Sequence, residues 1–273
     1  MQRTSRNLFL VALAIASFGA GAASAAPRTD CRQNSMRQLE EKSPDGYAVY
    51  TTITDKKFFT NWIKCDDVQL GLATAVHESV HHLSEDHDAF PLIDRGSLKR
   101  PHEVSRFYPP KLIAKNFDRG DDYVSTYLKP GAASAATDFL YLLDELNAYT
   151  HDLNTVVALT DLAPTHESVD HRDGLAALMA FTATYIATAE ESQPVTWSGL
   201  QKPEVAKTVS GLWGQAEKVM AASCSVPNIG HRDQGYIRQF CAEKPTAALQ
   251  KILGRAPVCP VDCLHSRPKT ASQ

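Results

Sequence analysis

The chain has 273 residues, 43% of them hydrophobic and 22% charged, with a formal net charge of -3. That composition suits a globular protein able to bury a substantial core. No run of lysine and arginine supplies the basic face that a nucleic-acid partner would need, so none is expected.

The first segment, MQRTSRNLFLVALAIASFGAGAASAAP, carries Arg3 and Arg6, an apolar run from Leu8 to Phe18, and small residues ending in Ala23-Ser24-Ala25. It reads as a secretory signal peptide (1–25) cleaved near Ala25 or Ala26, too short in its apolar part to stay in a bilayer as an anchor. The expected location is secreted or periplasmic, with no stable membrane anchor. All six cysteines (Cys31, Cys65, Cys224, Cys241, Cys259, Cys263) lie beyond this segment. An even count in an exported chain predicts three disulfides, most locally Cys31 with Cys65 and the last four among themselves. A zinc site on Cys259 and Cys263 would lack a CxxC partner.

From Asp30 to Glu41 a short helix is expected, ended by a Ser43-Pro44-Asp45-Gly46 turn. The aromatic and β-branched run Tyr47 to Ile53 then reads as a strand, whose free edge would suit an extended substrate. Asp66 or Asp67 can cap a helix through Val68, Leu72, Ala75, Val76, Ser79, Val80 and Leu83. A long polar, proline-rich stretch after Ser84 suggests a covering loop and a cleft wall, and residues 120–130 look similar. A second long helix is expected from about Ala135 to Leu159, a third capped by Asp173, and a fourth opened by Pro203. The tail from Cys224 lacks clear periodicity and reads as a disulfide-stapled extension. The division expected is a mature domain at 27–222 and an extension at 223–273. The fold class is α+β and predominantly helical, with a small β element upstream of the histidine helix.

That helix carries His77-Glu78-Ser79-Val80-His81. At about 100° per residue, positions four apart lie on one face, so both imidazoles can reach one ion. Glu78 is rotated aside, where it can act as a base on a water at the ion's open position. A hydrolytic zinc site needs a third protein ligand. Glu145, in LLDELNAYTHDL on the second long helix, is the leading choice, with Asp144 beside it; Ala148 would let the two helices approach closely. His87 stands where a third histidine falls in H-E-x-x-H-x-x-G-x-x-H, although Ser84 replaces the glycine that would let the chain swing back. The echo His166-Glu167-Ser168-Val169-Asp170-His171 has Asp170 in place of its second histidine, and suits a loop or helix start. His82 and Glu85 suit solvated positions, and Asp152 suits support of a ligand imidazole.

HESVH followed by a helical glutamate resembles the gluzincin branch of the zincin metallopeptidases, and E-L-N-A-Y is similar to the third-ligand helix of several such families. The specific likeness lies in these two short segments. Glu145 follows His81 by 145 − 81 = 64 residues, a long gap for the branch, and Tyr149 stands where thermolysin-like families have an aspartate. The resemblance implies a zincin-like core, one zinc ion on His77, His81 and Glu145, and Glu78 as general base. It further implies a His or Tyr that stabilises the oxyanion, for which Tyr149, His151 and His171 compete. The expected function is an exported zinc peptidase acting on a peptide or protein substrate. Two alternatives share these residues: an inactive zincin-like binding or structural protein, and a metal-dependent hydrolase of a non-peptide amide.

Overall fold

The computed structural model describes residues 28–163 and 171–265. The expected signal peptide and the echo up to Asp170 lie outside the described residues. Within them the chain is predominantly helical, with one two-stranded sheet.

Helices α1 (Arg28–Lys42) and α2 (Pro44–Thr52) are separated only by Ser43, so the expected turn is the junction of two helices. The strand expected at Tyr47–Ile53 is not formed: those residues belong to α2 and its C-cap. Pro44 occupies the first turn, where its missing N–H costs nothing, and Asp45 complements the helix dipole. Gly46, Val49 and Ile53 are the buried positions, a helical rather than an alternating spacing. With the strand goes the idea of a substrate edge there. Helix α3 (Lys56–Asn61) is capped by Asp55, whose side chain accepts from the N–H of Lys57 and Phe58.

The sheet lies downstream of the histidine helix, not upstream. Strand β1 (Ala89–Pro91) pairs antiparallel with β2 (Ser97–Lys99), Phe90 facing Leu98. Short helical segments of five to seven residues follow where a covering loop was expected.

Four longer helices form the body: α4 (Val68–Asp86), α5 (Phe139–Ala158), α6 (His171–Ser192) and α8 (Pro203–Ser223), with α7 (Pro194–Leu200) between the last two. Asp67 caps α4 through the Leu70 N–H, as the sequence suggests. Helix α5 starts later than expected, at the residue after Asp138, which accepts from Tyr141 N–H. Asp173 lies within α6 and caps a different helix. Its carboxylate takes the backbone N–H groups of His231, Arg232 and Asp233 at the start of α9 (Asp233–Phe240). The tail also holds α10 (Glu243–Leu253), ended by Gly254 at φ +69°.

Two apolar clusters meet at α5. Leu39, Val49, Phe59, Leu72, Val76 and Val80 form the first together with Ala148 and Leu159. The opposite side of α5 packs on α6 and α8, and α9 and α10 pack in turn on α6, around Phe181, Trp213 and Phe240. Helix α5 thus separates the two cores, and its contact with α4 is the seam that carries the site. Three disulfides tie the ends: Cys31–Cys65, Cys224–Cys263 and Cys241–Cys259, in the expected groups, which excludes the cysteine zinc site. They fit an extracellular protein. No described helix is long and apolar enough to cross a membrane.

Candidate metal centre

Helix α4 turns Leu72, Val76, Val80 and Leu83 inward, which leaves His77, Glu78 and His81 facing the cavities beside the seam. One turn apart, the His77 and His81 rings bring their Nε2 atoms to 3.2 Å. Across the seam, α5 presents Glu145, its Oε2 lying 3.7 Å from each Nε2. Ala148, one turn on, is fully buried in the cluster shared with Leu72 and Val76, which keeps the helices close. Among the described residues these are the three that can offer converging donors, all within 4.8 Å of one another.

The spacing fits a metal. Tetrahedral donors at about 2.0–2.1 Å from zinc stand roughly 3.3 Å apart, close to the separations found here. Glu145 Oε2 is buried and accepts no hydrogen bond among the described residues, a costly state for a carboxylate oxygen unless a cation completes it.

Neighbouring groups hold these donors in place. His81 Nδ1–H donates to Asp144 Oδ2 at 2.6 Å, which fixes the tautomer and leaves the Nε2 lone pair facing the cluster. The Tyr141 hydroxyl hydrogen-bonds to the Glu145 carboxyl. Tyr149 sets its ring edge-on to His77, with centroids 4.7 Å apart, and its hydroxyl meets that of Tyr127 at 2.8 Å. That ring occupies the space over Gly174 on α6, where a Cβ would come within 2.1 Å of it.

Burial, then the neighbouring His81, push the His77 pKa down to about 3, so the ring is neutral and ready to ligate. Burial pushes Glu145 up to about 7, against the pull of His81 and the Tyr141 hydrogen bond. Burial also raises Glu78. For His81 burial works against the charged form, but Asp144 and Glu145 outweigh it and the pKa is raised.

Two cavities, of about 540 Å³ and 370 Å³, flank the cluster and share His77, Glu78 and Tyr127 in their walls. The larger also holds Tyr149, Asp152 and His171, and His171 Nδ1–H donates to Asp152 Oδ1 at 2.6 Å. The smaller holds His81, Glu145, Asp144, Tyr141 and Arg100. The stretches read as loops do form cleft wall, through Arg100, Tyr123, Thr126 and Tyr127.

The structure therefore brings His77, Glu78, His81, Glu145, Tyr149 and His171 around one region. His87, at the C-cap of α4, is outside the converging group. His151 points away, its Nε2–H donating to the Pro91 carbonyl at 3.0 Å, and serves to hold the hairpin on α5. His82 is exposed, edge-on to Phe58. Asp144 supports His81 instead of joining the donors, while Asp152 supports His171. Tyr127, Tyr141 and Arg100 escaped the sequence reading. Tyr141 had a signal, one helical turn before Glu145; the other two come from segments without periodicity.

No protein-family model matches the chain, and no curated protein or solved structure matches it.

Proposed function

We propose that the protein is an exported zinc-dependent peptidase with a zincin-like core, in which His77, His81 and Glu145 hold the metal. One observation carries the reading: two imidazoles and a buried carboxylate from different helices converge beside a second carboxylate, Glu78, in a wall common to two cavities. Three protein donors are the complement of a catalytic zinc site, where structural sites use four. Zinc there supplies a Lewis acid for the scissile carbonyl and lowers the pKa of water toward about 7.

The chain's own groups account for the proton movements. Glu78, raised by burial, is a better proton acceptor than an ordinary carboxylate. It takes the proton of the attacking water as the new C–O bond forms, and returns it to the leaving amine as the C–N bond breaks. Charge that gathers on the carbonyl oxygen needs donors from the larger cavity. Tyr149, held by Tyr127, would give one, and His171 would give another from Nε2–H as an imidazolium whose Nδ1–H stays on Asp152.

The test is metal analysis of the mature protein beside its His81→Ala, Glu145→Ala and His87→Ala variants, with peptidase assays of wild type and Glu78→Gln. One equivalent of zinc is expected in wild type and in His87→Ala, and less in the other two. Full activity in Glu78→Gln, or no stoichiometric metal in wild type, would overturn the reading.

A further inference from the structure

Arg100 is the cation in the smaller cavity's wall. It directly follows β2, whose Lys99 carbonyl accepts from the Thr208 hydroxyl of α8 at 3.2 Å, and its own N–H donates to the Asp88 carbonyl at 3.2 Å. The side chain is half-buried. One terminal nitrogen makes a long contact of 3.4 Å to the Ser84 carbonyl, one turn of α4 beyond His81, and the guanidinium lies 5.8 Å from the centroid of the Phe90 ring. Its Nε is buried and donates to nothing among the described residues. Among the described residues no carboxylate oxygen comes within 4.0 Å of this guanidinium.

The acids of the same cavity do not explain it. Asp138 caps α5, Asp144 holds His81, Glu145 belongs to the donor group and takes the Tyr141 hydroxyl, Glu78 is the proposed base, and Glu85, exposed on the last turn of α4, has no oxygen within 4.0 Å of the guanidinium. Arg100 is thus a cation whose backbone is tied in at the foot of the hairpin, with donor capacity left over on its side chain. A planar guanidinium in that state is matched by a carboxylate, which can take two of its N–H groups at once.

We propose that Arg100 binds a carboxylate of the substrate in the smaller cavity, a reading that rests on the peptidase assignment. A cavity of about 370 Å³ is roughly 9 Å across if compact, room for two or three extended residues at about 3.3–3.6 Å each. The group bound is the free C-terminus of a peptide with its scissile bond one or two residues back, or an acidic side chain at the same distance.

The two sources separate in one experiment. Zinc-loaded Glu78→Gln protein is dialysed against N-acetylated tripeptides randomised at all three positions, as C-terminal acids and as carboxamides, with retention read by mass spectrometry. Acids are expected to be retained about tenfold or more over carboxamides lacking Asp and Glu, the usual scale for a hydrogen bond to a charged group. Arg100→Gln should abolish that preference and Arg100→Lys keep part of it. Carboxamides with Asp or Glu retained as well as the acids would support Arg100 and place the carboxylate on a side chain. Equal retention of acids and carboxylate-free carboxamides, or an undiminished preference in folded Arg100→Gln, would overturn the proposal. Cleavage by wild type is read separately. A protein that retains acids through Arg100 but cleaves nothing loses the peptidase reading alone.

Discussion

Asp144 Oδ2 accepts the Nδ1–H of His81 at 2.6 Å, although the two residues are 63 apart in sequence. The adjacent Glu145 belongs to the donor group itself, so of two successive residues of α5 one offers a donor that could hold a metal ion and the other supports an imidazole. Asp144→Asn keeps the shape, but an amide that rotates can offer N–H to Nδ1 and favour the wrong tautomer. Zinc affinity is expected to fall about 10- to 100-fold, the usual effect of losing such a support, as read by competition with a chelating dye. Unchanged affinity would mean that the hydrogen bond does not orient His81.

Gly174 and Tyr149 are matched in the same sense. The ring fills the place of the missing side chain on α6, and lies edge-on to His77. Gly174→Ala forces Cβ into the ring, an overpacking expected to cost about 1–3 kcal/mol in urea-induced unfolding. It should also lower kcat by displacing the Tyr149 hydroxyl. Tyr149→Phe keeps the ring and loses only the hydroxyl bond to Tyr127, so in that variant kcat should fall with a stability loss of about 1 kcal/mol.

The Cys31–Cys65 disulfide joins α1 to the segment leading into α4, across a sequence separation of 34. On chain entropy alone a loop of that length contributes roughly 3–4 kcal/mol. The double variant Cys31→Ala/Cys65→Ala should lose about that much in chemical unfolding. Because α4 also packs on α5 through Leu72, Val76 and Ala148, zinc should restore part of the loss.

The donor group was legible because helices carry it. His77 and His81 needed only a capped α4, and Asp67 with the spacing of Leu72, Val76 and Val80 announces one. Glu145 was legible for the same reason on α5. The misread strand at Tyr47–Ile53 shows the converse: residue types there suit a sheet, but Pro44 starts a helix and tertiary packing of Val49 and Ile53 keeps it. Arg100 and Tyr127 reach the cavities from irregular segments whose path is set by contacts distant in sequence. Asp173 was read as a cap, and caps α9 instead of its own helix, a pairing 60 residues apart that no local pattern encodes.

Acid should oppose metal binding steeply. Zinc needs a neutral His77, a neutral His81 and an ionised Glu145. His77, lowered to about 3, meets that condition at any ordinary pH. Glu145, raised to about 7, and His81, raised by Asp144 and Glu145, do not. The folded protein stripped of zinc therefore holds a proton on Glu145 that the unfolded chain has lost above the usual carboxylate range. That group disfavours folding increasingly as pH rises from about 4.5 through 7. His77 has the opposite sign: its contribution is present above 6.5 and fades as pH falls toward about 3. Zinc must displace the proton on Glu145, so affinity is expected to fall by about tenfold or more per pH unit below 7 and to level off above it. Calorimetry at pH 6 in two buffers of different ionisation enthalpy should show protons released on zinc binding. Glu145→Gln should bind more weakly and release about one proton fewer. An affinity that stays level from pH 7 down to 5.5 would place the zinc on donors other than Glu145.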